Sequence, residues 1–110
     1  MKHINNSSRK GDLAEYYAVT WLWDKGYEVF KNAGCTGIID LIARDINGKT
    51  ILIDVKTFNK DTRWNGTWTN VSTPRSKEQI DIGVQILGFN PETRKLRFVD
   101  HKTDGENYAE

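Results

Sequence analysis

The sequence predicts an α/β (α+β) domain in which helices flank a mixed β-sheet, with elements in the order α-β-β-β-α-β-β. Three observations carry this. Residues 13–25 are rich in Ala, Leu, Tyr and Trp and end at Gly26, as a helix with a glycine stop does. Asn47-Gly48 separates two apolar, β-branched runs, 38–43 and 50–55. That pattern marks a hairpin, because both central residues of a type I′ turn take positive φ. Thr73-Pro74 then opens a short helical stretch, and two more apolar runs follow it. A helix and a sheet each carry one apolar face, so they pack as layers.

The first ten residues carry Lys2, Arg9 and Lys10 without an acid and read as a flexible basic arm. Several residues between Ser8 and Asp12 can cap the following helix. That helix is apolar nearly all round and is expected to be well covered. Glu15 is the exception, on a stripe with Ala18, Val19 and Leu22. It reads either as a carboxylate aimed at the sheet or as an acid complementing the helix dipole. A short strand is expected over 27–30 and a loop over 31–36. The hairpin strands fall near 37–44 and 50–57. Residues 59–73 are polar, with Trp64 and Trp68 among Lys60 and Arg63, and lack a steady period. They read as a long loop with some β character. The short helix is expected to run to about Asp81. Strands over 82–89 and 95–99 then form a second hairpin around Asn90-Pro91-Glu92-Thr93. A single domain is expected over 11–102 and a polar tail over 103–110.

With 110 residues, 37% apolar and 28% charged, the chain suits one soluble domain with a modest core. No apolar run is long enough to span a bilayer, so no membrane partner is expected. The polar N-terminus lacks a secretory h-region, and the single Cys35 excludes an internal disulfide. The expected location is therefore cytoplasmic. Net charge is only +1, but the stretch 56–77 sets Lys56, Lys60, Arg63, Arg75 and Lys77 against Asp61 alone. Such a basic stretch permits a nucleic-acid partner or simply a solvated surface. Trp64 and Trp68, with Arg9, Lys10, Lys60, Arg63, Arg75 and Lys77, are the candidate nucleic-acid-binding residues. The tryptophans can instead pack on the core or a partner subunit. His3 and His101 lack metal-ligand spacing and read as solvated.

The chemistry concentrates in the first hairpin. Its greasy strands contain Asp40, Asp54 and Lys56, and an ionised group among apolar residues is costly unless paired. The simplest compensation is a divalent cation held by the two aspartates, with Lys56 beside it. Asp54 and Lys56, two apart on a strand, share a face about 7 Å apart at their α-carbons. Hard oxygen donors without histidine suit Mg²⁺ or Mn²⁺ rather than zinc. The register presents a difficulty. With Asn47 and Gly48 as the two central residues, Ile46 pairs with Lys49 and Asp40 falls opposite Val55, on the wrong face. A bulge, or a loop of three to five residues including Asp45 and Lys49, would correct this, or twisted, splayed strand ends would bring the groups together.

Glu15, Asp40 in GIIDLIA and Asp54-Val55-Lys56 in ILIDVKT together resemble the PD-(D/E)XK nuclease superfamily. The stretch is most similar to archaeal Holliday-junction resolvases and related phage or intron endonucleases. The resemblance covers residues 11–60. It implies a restriction-endonuclease-like core and Mg²⁺-dependent hydrolysis of DNA, branched or otherwise structured; a homodimer is expected because cutting two strands needs two sites. It further implies that Asp40, Asp54 and the Val55 carbonyl hold the metal and that Glu15 supports it, directly or through water. Lys56 takes the place of the catalytic lysine. Ile39 stands where the motif's proline would be, and Asp54 replaces the commoner glutamate. Some nuclease families use a glutamine after the lysine, which makes Gln79 and Gln85 candidates; Gln85, in an apolar strand, reads as structural. The alternatives are a nuclease-fold DNA-binding module without turnover, and an RNA-cleaving enzyme.

Overall fold

A computed structural model describes residues 7–34, 36–61, 67–71 and 74–99. The elements are α1 (Ser7–Asp24), β1 (Glu28–Lys31), β2 (Leu41–Arg44), β3 (Thr50–Asp61), β4 (Thr67–Val71), α2 (Lys77–Ile82), β5 (Gln85–Phe89) and β6 (Leu96–Phe98). The mixed sheet runs β1-β2-β3-β5-β6, and β4 pairs with the far end of β3. Only the β3–β5 pair is parallel, with α2 on the crossover between them; the other pairs are antiparallel.

The observed order is thus α-β-β-β-β-α-β-β, with one strand more than expected. The expected loop over 59–73 is partly sheet: β3 continues to Asp61, and Thr67–Val71 returns antiparallel to it across an irregularity at Asn59/Lys60. The β character expected there is thus present, although the polar sequence does not mark where each strand begins and ends, because backbone pairing needs no apolar alternation. Helix α1 starts at Ser7, ahead of the expected 13, so Arg9 and Lys10 stand on its first turns rather than in a free arm. Residues 1–6 of that arm, Cys35, both histidines and the tail lie outside the described residues.

Local chemistry explains the element ends. Gly26, at φ 91°, closes α1: its N–H donates to the Trp23 carbonyl, and the Tyr27 N–H reaches back to Leu22. Ser76, rather than Pro74, caps α2. Its hydroxyl accepts from the Gln79 N–H while the Gln79 side chain accepts from the Ser76 N–H. Ile82 belongs to this helix and not to the next strand, which begins at Gln85 after Gly83.

Ala18 and Leu22 of α1 pack on Leu41, Ala43, Ile53 and Leu87, with Leu96 and Phe98 at the margin. The odd-numbered residues of β3 therefore face α1, and Asp54, Lys56 and Phe58 occupy the other face. Contrary to expectation, α1 is not covered all round: Tyr16, Tyr17 and Trp23 are exposed on its outer side. Among the described residues no helix is long and apolar enough to cross a membrane.

Candidate active site at the β2–β3 hairpin

The first hairpin turns through three residues, not two. The Asp45 N–H donates to the Lys49 carbonyl and the Gly48 N–H to the Asp45 carbonyl, leaving Ile46, Asn47 and Gly48 as the loop. Gly48 takes φ 86°, and Asp45 Oδ1 accepts from the N–H groups of Asn47 and Lys49. This Asx-stabilised turn shifts the pairing by one residue from the two-residue expectation. Leu41 faces Ile53 and Ile42 faces Leu52, so Asp40, just before β2, comes level with Asp54.

Asp40 is held from both sides. Asn32 ties down the approach to β2: its N–H donates to the Asp40 carbonyl, and its side-chain amide donates to the carbonyls of Thr36 and Ile39. The Asp40 N–H donates to the Ile53 carbonyl at 2.8 Å, and its Oδ2 accepts from the Val55 N–H at 2.8 Å. Asp54 is buried, with 8% of its surface exposed. Its Oδ2 accepts from Gln79 Nε2 at 2.9 Å and lies 3.5 Å from Lys56 Nζ. The same Gln79 amide donates to the Ile38 carbonyl, so one side chain ties α2 to Asp54 and to the segment leading to Asp40.

The electrostatics reflect crowded acids. Burial, a neighbouring Asp54 carboxyl within hydrogen-bonding reach, and the charges of Asp54 and Glu15 push the Asp40 carboxyl up from 3.8 to about 7; the Val55 N–H only partly offsets them. Asp40 opens onto a cleft of about 270 Å³ that is also lined by Phe30, Lys31 and Asn32.

The structure brings Asp40, Asp54 and Lys56 together. Glu15 stands one layer out, on the α1 side: Lys31 Nζ holds its Oε1 at 3.1 Å, and Asp40 feels its charge. Among the described residues, no group of three or more Asp, Glu, His or Cys side chains is arranged to hold a metal on its own. The other candidates are dispersed. Arg75 donates to the Val84 carbonyl, and exposed Lys77 pairs with Asp81 along α2. Lys60 and Trp68 are backbone partners in the β3–β4 ribbon, and Arg63 and Trp64 lie outside the described residues. Gln85 opens β5 opposite Ile53.

No protein-family model matches the chain, and no curated protein does. Its α+β architecture is nonetheless shared with a solved structure. The likeness is to the solved structure of a bacterial homing endonuclease, I-Ssp6803I, with a TM-score of 0.65 and 17% identity over 96% of this chain and 85% of that one.

Proposed function

We propose that the chain is a divalent-metal-dependent DNA endonuclease of the PD-(D/E)XK type. The observation that carries this is the hairpin register, which sets Asp40 level with Asp54 while Lys56 borders the same Asp54 oxygen. The likeness to a homing endonuclease supports the DNA-cutting class.

The acids suit a cation. Asp40 holds its proton up to about 7 because burial disfavours its charge and the neighbouring carboxylates of Asp54 and Glu15 add to that cost, which a bound cation would offset. Asp40, Asp54 and the Val55 carbonyl would hold Mg²⁺ or Mn²⁺, with Glu15 acting through water. Two carboxylates are enough, since Mg²⁺ keeps several waters and also takes substrate phosphate. When bound, the metal supplies a water of lowered pKa and neutralises charge on the phosphate. The protein residues do the positioning. Gln79 orients the Asp54 carboxylate, and the Asp54 oxygen in turn fixes the Lys56 ammonium. Lys56 then donates to the attacking water or to the phosphate oxygen on which charge develops. The products would carry a 5′-phosphate and a 3′-hydroxyl. Cutting both strands calls for two sites, hence a homodimer.

The test is a cleavage panel of four-way junction, flap, linear duplex and RNA with Mg²⁺ or Mn²⁺. Wild type should nick DNA, the branched forms foremost. Asp54→Ala and Lys56→Ala should each cost on the order of 10²–10³ in rate. Wild type that binds DNA equally with and without metal, and never nicks it, would establish a binding module instead. Cleavage confined to the RNA substrate would establish a ribonuclease.

A further inference from the structure

We infer that Arg97, seated on the Phe58 ring beside Lys56, forms a second phosphate-holding subsite for the nucleic-acid strand; this rests on the nuclease reading above. Lys56 pairs with Gly88, and Gly88 pairs with Arg97, so Lys56 and Arg97 project from the sheet face opposite α1 with the bare backbone of Gly88 between them. Phe58, two residues beyond Lys56, leans across Gly88. A Cβ built at Gly88 would overlap the outer end of the Phe58 ring, so glycine is what lets the ring come this close to the backbone there. Phe58 is buried at 3% exposure, and the Arg97 guanidinium covers its outer side, 4.5 Å from the ring centroid. A guanidinium stacked this way keeps its N–H edge in one plane and free to grip a phosphate at two points.

The surroundings favour an anion. Phe58, Asn90, Thr93, Lys95, Leu96 and Arg97 line a cleft of about 330 Å³, with two cations and no carboxylate among them. Arg97 pairs with no acid among the described residues. Two strand spacings separate it from Lys56, on the order of 10 Å. A strand with its scissile phosphate at Asp54 and Lys56 can therefore lay a neighbouring phosphate on Arg97.

Binding of a fluorescein-labelled four-way junction and of a linear duplex, without divalent metal and across a salt series, tests this. Arg97→Ala should weaken binding about tenfold and reduce the slope of log affinity against log salt by about one. Arg97→Lys should restore the slope but only part of the affinity. Arg44→Ala removes an equal charge at the other edge of the sheet, where Arg44 pairs with Glu28, and should leave both unchanged. Thermal unfolding of each variant establishes that it is folded. Arg97→Ala with wild-type affinity and slope overturns the inference, and the Arg97–Phe58 stack is then a surface brace. If wild type neither binds nor cuts DNA, the nuclease reading fails; if it cuts and Arg97→Ala matches it, only the subsite fails.

Discussion

A carboxyl group that stays protonated near neutrality destabilises the fold once it ionises. Asp40, raised from 3.8 to about 7, stabilises the folded state fully below about pH 4. That contribution is lost as pH rises through 7. For this half-buried group it amounts to about 1–2 kcal/mol after solvent screening. Asp40→Asn should therefore raise the melting temperature of metal-free protein at pH 8 and change it little at pH 4. Mg²⁺ should stabilise wild type at pH 8, progressively less toward pH 6, and Asp40→Asn hardly at all. A melting curve for wild type that ignores both pH and Mg²⁺ over this range would remove the electrostatic case for a cation. Gln79 offers a second test at this scale. Gln79→Ala breaks the bonds to Asp54 and Ile38 and one half of the α2 capping box. The expected cost is about 1–3 kcal/mol in urea unfolding, with slower cleavage from a loosened Asp54. An unchanged midpoint would mean that the amide holds nothing in place.

At the scale of elements, the site depends on one turn. Both hairpin strands, the Asn47-Gly48 dipeptide and the shared face of Asp54 and Lys56 are legible in the sequence. The register is not, because a single loop residue decides which face Asp40 joins. The three-residue loop shows that the extra residue is Ile46, which is almost wholly exposed at 94%. Deleting Ile46 leaves Asn47-Gly48 as a two-residue loop between the same partners, Asp45 and Lys49. The register survives, and DNA cleavage should persist at near wild-type rate. Loss of cleavage in a folded deletion variant would show that the loop does more than set the pairing. The bounds of β4 were not legible for another reason: the stretch reads as having some β character, but its residues carry no apolar alternation to mark where a strand begins and ends.

At the scale of the whole molecule, the proposed chemistry calls for two copies, since one proposed site would cut one strand. Sedimentation of the protein with a four-way junction should show two chains per DNA. Linear products should appear without a long-lived nicked intermediate. A monomer on DNA that releases only nicked product would limit the enzyme to single-strand cleavage.

By itself, the sequence determined the helix with its glycine stop, the paired strands, and the placing of two aspartates and a lysine among apolar residues. Those features are local: each depends on residues a few positions apart, whose spacing and backbone preferences act within one element. Only the tertiary structure decided the rest. It brought Asp40 level with Asp54, delivered Gln79 from 25 residues away to the Asp54 carboxylate, and set Arg97 on Phe58 across a glycine. Such contacts arise from strand pairing and crossover packing between distant segments, and no pattern within a single segment records them.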